Sequence, residues 1–144
     1  MSRKRTWSRR CAAQAIYQWQ LTGEVPGDLK TVFPAQQDMA QADQSYFEGL
    51  LYGVVNRVVE LDNELTPLLD RKVSEVDPVE RAILRLGVYE LSAHPEVPYR
   101  VVINEAIELA KRFGAEQGHK YINSVLDKVA QKLRAAEVRG VVSK

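Results

Sequence analysis

The sequence has one cysteine and two histidines, and that scarcity removes several kinds of chemistry. Cys11 alone can form neither an internal disulfide nor a cysteine-based metal cluster. A reactive thiol needs an adjacent base, and the nearest histidine in sequence, His94, is far away, so Cys11 reads as a small buried residue. Glu116 and His119 have the Glu-x-x-His spacing of di-iron bundles, but such a site needs the motif twice with two further glutamates. No metal is expected.

Long apolar runs are missing too. Nothing approaches the ~20 residues of a membrane-spanning helix, and MSRKRTWSRR has no apolar segment behind it, so it is not a secretory signal. The expectation is a cytoplasmic protein. No stretch alternates convincingly with period two, and no GxGxxG, GxxxxGK or GxSxG pattern is present. The fold class is therefore predicted as all-α, and neither an enzyme nor a cofactor is expected.

Acidic residues are absent before Glu24. Five of the 20 basic residues, Arg3, Lys4, Arg5, Arg9 and Arg10, lie in the first ten positions, leaving 15 against 19 acids in the remainder. A basic end on a mildly acidic body suits an anion-binding end with a separate partner surface. A composition of 45% hydrophobic and 27% charged residues is that of a globular domain rather than a disordered chain. We expect one domain over residues 1–144, with a flexible basic arm over about residues 1–6 and a frayed tail over about 138–144.

The chain is organised around DPVERAILRLGVYELS, Asp77 to Ser92. Asp77 can cap a helix, Pro78 suits its first position, and Glu80 stands where a capping-box carboxylate reaches back. Val79, Ala82, Ile83, Leu84, Leu86, Val88, Tyr89 and Leu91 cover most of its circumference, which predicts a helix buried on several sides. Gly87 in mid-helix makes sense if another helix crosses closely there.

Before it, Thr6 or Ser8 can cap a first helix running to about Leu21, with Ala12, Ala15, Ile16 and Trp19 on one face. Gly23, Pro26 and Gly27 break it, and Asp28 can cap a short turn that Pro34 ends. A longer helix from about Ala42 carries Tyr46, Phe47, Leu50, Leu51, Val54, Val55, Val58 and Val59 as a wide apolar stripe. Asp62 to Leu69 reads as a short helix or a kinked continuation around Pro67.

After the central helix, His94 to Pro98 form a loop stiffened by two prolines. Tyr99 to Phe113 place Val102, Ile103, Ala106, Ile107, Ala110 and Phe113 on one stripe, and Gly114 is expected as a left-handed C-cap. A last helix from Gln117 or Gly118 to Ala136 buries Ile122, Val125, Leu126, Val129 and Leu133. Roughly seven helices of mixed length pack most easily as two small bundles sharing the central helix or crossing near it.

Glu105 and Glu108, three apart, form a possible acid–base pair, but a solvated edge paired with Lys111 and Arg112 is the preferred reading. What remains for function is the basic end and the aromatic rings beside it. Charged grooves follow phosphates, and rings stack on splayed bases. Tyr17 lies two turns after the arginines, and Tyr121 opens the last helix beside Lys120 and Gly118, at an N-terminus whose free amides also favour phosphate.

These residues lie in segments with a family likeness. VPYRVVINEAIELAKRFGAEQGHKYINSVLDK, Val97 to Lys128, closely resembles the C-terminal signature of the NusB family of transcription antitermination factors. RRCAAQAIYQWQL and DPVERAILRLGVYEL resemble other segments of that family, in the same order and at similar spacing, so the likeness covers nearly the whole chain.

The resemblance implies two three-helix bundles, a bacterial protein without enzymatic activity, and two binding partners. These are NusE, a small-subunit ribosomal protein, and the single-stranded boxA element of nascent RNA. The complex would load onto RNA polymerase and suppress termination in ribosomal RNA operons. By position the RNA surface would comprise Arg3, Lys4, Arg5, Arg9, Arg10, Tyr17, Gln117, Gly118, Lys120 and Tyr121, and the NusE surface Glu75 and Glu80. Thr6 and Trp7 split an arginine cluster that is more continuous in relatives, and Gln117 replaces a common acid.

Two other functions compete. NusB-like domains also precede certain RNA cytosine methyltransferases, but this chain has no catalytic cysteine motif or nucleotide-binding βα unit. A helical module that binds only NusE, or a second copy of itself as a homodimer, would need no RNA at all.

Overall fold

The computed structural model describes residues 3–25, 42–114 and 117–140. Among them are seven α-helices and no strand: α1 (Arg3–Thr22), α2 (Gln44–Asn56), α3 (Val58–Leu65), α4 (Pro78–Ala93), α5 (Tyr99–Phe113), α6 (Gly118–Leu133) and α7 (Ala135–Val138). Two single-turn 3-10 helices, Thr66–Leu68 and Val73–Glu75, join α3 to α4. The all-α expectation holds. The expected turn between Asp28 and Pro34 lies outside the described residues, as do Glu116 and residues 141–144.

The local signals around α4 act as read. Asp77 accepts hydrogen bonds from the amides of Val79 and Glu80, and Pro78 occupies the first turn. Glu80, however, does not reach back as a capping box; its carboxylate lies against Gly118 on α6 instead. Ala82, Ile83, Leu84, Leu86, Val88 and Leu91 are all buried, and α4 packs against α1, α2, α3, α5 and α6. A β-carbon at Gly87 would stand 2.8 Å from Leu126 Cδ1, which is the close crossing that a mid-helix glycine allows.

Several boundaries differ from expectation. Neither Thr6 nor Ser8 caps α1, which begins at Arg3. Ser8 is fully buried and instead ties α1 to the start of α2, its hydroxyl 2.7 Å from the carbonyl of Asp43 and 2.9 Å from that residue's amide. Gly23 ends α1 at φ +77°, a conformation that suits glycine.

The long second helix is divided at Arg57, whose φ of −116° and ψ of 19° leave the helical region. The turn this introduces carries Val59 to 70% exposure, off the expected stripe. Gly114 is not left-handed; its φ of −96° and ψ of −175° are extended. Arg134 breaks the last helix three residues early. Its guanidinium donates to the carbonyls of Leu91, His94 and Val97 and to Glu137, clamping the loop between α4 and α5.

Candidate nucleic-acid interface

Helix α1 has a buried side built from small residues, Cys11, Ala12, Ala13 and Ala15, with Ile16, so it can approach α2 and α4 closely. Cys11 is fully buried, as expected. From Arg3 to Thr22 the helix contains no acidic residue, so its cations must be satisfied by other elements or by solvent.

Arg9 is satisfied by other elements. It is 1% exposed and therefore leaves the set of surface cations to which the family likeness assigned it. Its Nε donates to both carboxylate oxygens of Glu90 on α4, at 2.8 and 3.0 Å, and its Nη1 donates to Glu105 on α5 at 3.2 Å. The Tyr46 hydroxyl donates to Glu90, and the Thr6 hydroxyl donates to Glu105 at 2.7 Å.

Burial pulls the Arg9 guanidinium down, but the bond and charge of Glu90, with Tyr46 and Glu105, leave it above its usual range. Tyr46 is pushed up by burial and by Glu90. Glu105 is accordingly a core carboxylate, 8% exposed, rather than half of a solvated edge. The buried charges of Arg9, Glu90 and Glu105 meet across three helices, and Tyr46 adds a neutral donor from a fourth, as burial demands.

The other members of the basic end stay outside. Arg3 and Lys4 are exposed. Arg5 is half-buried, its guanidinium 4.2 Å from the centre of the Tyr46 ring. Arg10, one helical step on from Arg9, stacks on Trp7 at 4.5 Å.

Two hollows follow one another along this side of α1. The first, of about 430 Å³, has Thr6 and Arg10 on one wall and Glu105, Glu108, Leu109, Lys111 and Arg112 of α5 on the other. The second, of about 410 Å³, is lined by Ala13, Gln14, Tyr17 and Gln18 of α1, Val79 and Ile83 of α4, and Phe113 at the end of α5. Arg10 and Tyr17 thus share one side of one helix.

The start of α6 contributes the second part of the predicted surface. Gln117 and Lys120 are exposed, whereas Gly118 is buried. A β-carbon on Gly118 would stand 2.6 Å from Glu80 Oε2. Glu80 follows Val79 of the second hollow, so the start of α6 and Tyr17 both border the first turn of α4. Burial, and then Asp77, raise the Glu80 carboxyl above its usual range.

Tyr121 is half-buried, and its hydroxyl donates to Asp70 Oδ1 at 3.1 Å. Arg71 lies 4.9 Å from its ring centre and donates to Asp70 at 2.7 and 3.0 Å. The Arg71 bonds hold Asp70 down at about 2, while burial and then Asp70 push Tyr121 up. Of the two residues expected to face a protein partner, Glu75 is exposed and accepts the amide of Lys72, but Glu80 is turned inward.

Sequence reasoning missed Lys111, Arg112 and Phe113 as neighbours of Arg10 and Tyr17. Phe113 was assigned to a buried stripe, yet it is 36% exposed. The available signal was a basic pair directly beside an aromatic residue at the end of a helix. Asp70 and Arg71, which hold Tyr121, gave none. Among the described residues no cluster of three or more His, Cys, Asp or Glu could hold a metal ion, and no helix is long and apolar enough to cross a membrane.

Comparison with known proteins bears on the fold and the family. The sequence model of the NusB family matches residues 6–131. The transcription antitermination protein NusB of Nitrosococcus oceani is 57% identical over 139 residues, covering 96% of this chain and 93% of the relative. That of Hahella chejuensis is 50% identical over 141 residues, covering 98% and 95%. Among solved structures, T. maritima NusB superposes with a TM-score of 0.78 at 26% identity over 96% of this chain and 99% of that one. A crystal structure of antitermination factors NusB and NusE in complex with dsRNA gives 0.79 at 28% identity, over 92% and 99%.

Proposed function

The chain belongs to the NusB family, and from that premise we infer that it is a transcription antitermination factor that binds RNA together with NusE. The RNA is a single-stranded boxA-like element, and the complex travels with RNA polymerase to keep ribosomal RNA transcription processive. The protein acts as an adaptor with no catalytic step. One observation carries the RNA part: α1 has five cations and no acid, and of these Arg9 is held by the buried carboxylates of Glu90 and Glu105. Arg3 and Lys4 are exposed near the start of α1, and Arg10 lies on the same side of the helix as Tyr17.

In this reading Arg3, Lys4, Arg5 and Arg10 meet phosphates, while Tyr17 and Tyr121 stack on bases. Gln117, Gly118 and Lys120 supply the α6 N-terminus, where free amides suit an anion. Arg9 supports the surface from beneath. Glu75 is the remaining candidate for the NusE face. Binding RNA on one surface and a protein on another lets each partner tighten the other by linkage.

The test is a titration of boxA-like single-stranded RNA and a scrambled control, with and without NusE, at two salt concentrations. Preference for boxA, tightening by NusE and weakening by salt are expected, with a log–log salt slope of about 0.7 per phosphate contact. Equal, weak binding of both RNAs even with NusE would overturn the reading in favour of a protein-only module.

A further inference from the structure

Leu109, Arg112 and Phe113 stand at the i, i+3, i+4 spacing that gathers side chains on one side of a helix, and all three line the hollows along α1. Gly114 follows in an extended conformation, so no further turn of α5 covers the Phe113 ring. Ala13, Val79 and Ile83 complete an apolar lining, while Gln14 and Gln18 place two amides on the same wall.

The sign of the rim is set by what the core has already used. Glu105 reaches the first hollow, but its Oε1 is engaged by both Arg9 and Thr6. Glu108 is exposed and stands 4.0 Å from Lys111, a distance at which an exposed pair contributes little. Arg10, Lys111 and Arg112 therefore give the rim a net positive charge beside an apolar slot with one aromatic ring on α1 and another on α5.

We propose that this groove between α1 and the last turn of α5 is a nucleotide slot, taking one base between Tyr17 and Phe113 and the flanking phosphates on Arg10 and Arg112. The assignment rests on the RNA-binding reading and extends it to a helix outside the expected surface. An apolar peptide would fill the same slot but leave the net positive charge of the rim unmatched; a nucleotide satisfies ring and rim together. Stacking tolerates any base, so selectivity falls to Gln14 and Gln18, whose amides can meet a base edge.

The experiment measures boxA-like RNA binding to the full chain with NusE for the wild type, Tyr17→Ala, Phe113→Leu, Arg112→Gln and, as a remote cation control, Arg57→Gln, with thermal melts to confirm folding. Phe113→Leu should weaken binding roughly fivefold or more, the low end of ring stacking on a base. Arg112→Gln should weaken it and lower the salt slope by about 0.7, and Arg57→Gln should leave it unchanged. Photo-crosslinking of 5-iodouridine-substituted RNA to the wild type should mark the peptide containing Phe113, a readout that needs no variant to fold. Wild-type affinity in both α5 variants, with Tyr17→Ala still weakened, would overturn the slot and leave the RNA reading standing. Failure of the wild type itself to bind RNA would overturn the RNA reading, and the slot with it.

Discussion

The Arg9 guanidinium and the Glu90 carboxylate meet 81 residues apart in sequence, each side chain 2% exposed, with Nε shared between both oxygens. An arginine from the most basic stretch of the chain is thereby spent on the core. Its partners come from α4 and α5, so the pair fixes the rotation of α1 against both helices.

Arg9→Met should destabilise the fold by about 3–5 kcal/mol, because Glu90 and Glu105 lose a buried countercharge. The midpoint of urea unfolding reports this. Adding Glu90→Gln should restore part of the loss, since residues in one network are not additive. A single variant as stable as the wild type would show that the pair does not hold the helices.

Gly87→Ala and Gly49→Ala should have opposite signs. At Gly87 the new methyl meets Leu126 Cδ1 at 2.8 Å, and that fully buried side chain must shift within a packed core. Overpacking of about 1–3 kcal/mol should outweigh the roughly 1 kcal/mol that alanine gains in a helix. At Gly49 nothing lies within 4 Å, so only the gain remains. Thermal melts of the two variants against wild type decide it.

Glu80 is a carboxyl whose pKa is raised in the folded protein above its ordinary 4.5. The folded state then binds its proton more tightly than the unfolded chain does. Ionised Glu80 therefore opposes folding at neutral pH, and the penalty is relieved as pH falls through the raised folded value. Glu80→Gln should be more stable than wild type at about pH 7 and converge with it by about pH 4. A stability difference that does not change with pH would refute this.

Tyr17→Ala and Tyr121→Ala should each weaken boxA-like RNA binding by about 1–3 kcal/mol if the ring stacks on a base. An unchanged affinity with an intact fold would remove that tyrosine from the surface.

Gln117 is exposed at the start of α6, where an acid would repel RNA. Gln117→Asp should bind boxA-like RNA no more tightly than wild type. Tighter binding by the variant would refute the repulsion.

The features legible in the sequence were those decided within a few residues. Asp77 and Pro78 start α4 by satisfying and removing amides of its own first turn, and Gly87 pointed to a crossing because it interrupts a helix apolar nearly all round, whereas Gly49 in α2 has no neighbour within 4 Å. The break at Arg57 was hidden because Val54, Val55, Val58 and Val59 continue an unbroken helical pattern across it. Pattern records which residues avoid water, not whether the backbone turns between them.

The basic end was legible as a charge concentration but not in its division of labour. Arg9 and Arg10 are identical side chains, and what separates them is the position of Glu90 and Glu105, 81 and 96 residues away from Arg9. The same distance hid Glu105, whose spacing from Glu108 suggested a solvated edge. Nothing local marks a carboxylate that will be buried by a remote arginine.

The seating of Arg9 also limits how this surface can vary. Successive residues of an α-helix point about 100° apart, so once Arg9 is locked into the core the bearings of Arg10, Gln14 and Tyr17 follow as teeth follow the setting of a key. A one-residue insertion between Arg5 and Thr6 would leave those teeth in place and shift only the residues before it, Arg3, Lys4 and Arg5 among them. The same insertion just after Arg9 would swing the whole groove-lining side of α1 away from α5. Length changes are tolerable at the tip of α1 and not beyond it, so the groove can drift by exchange of side chains but not by indels.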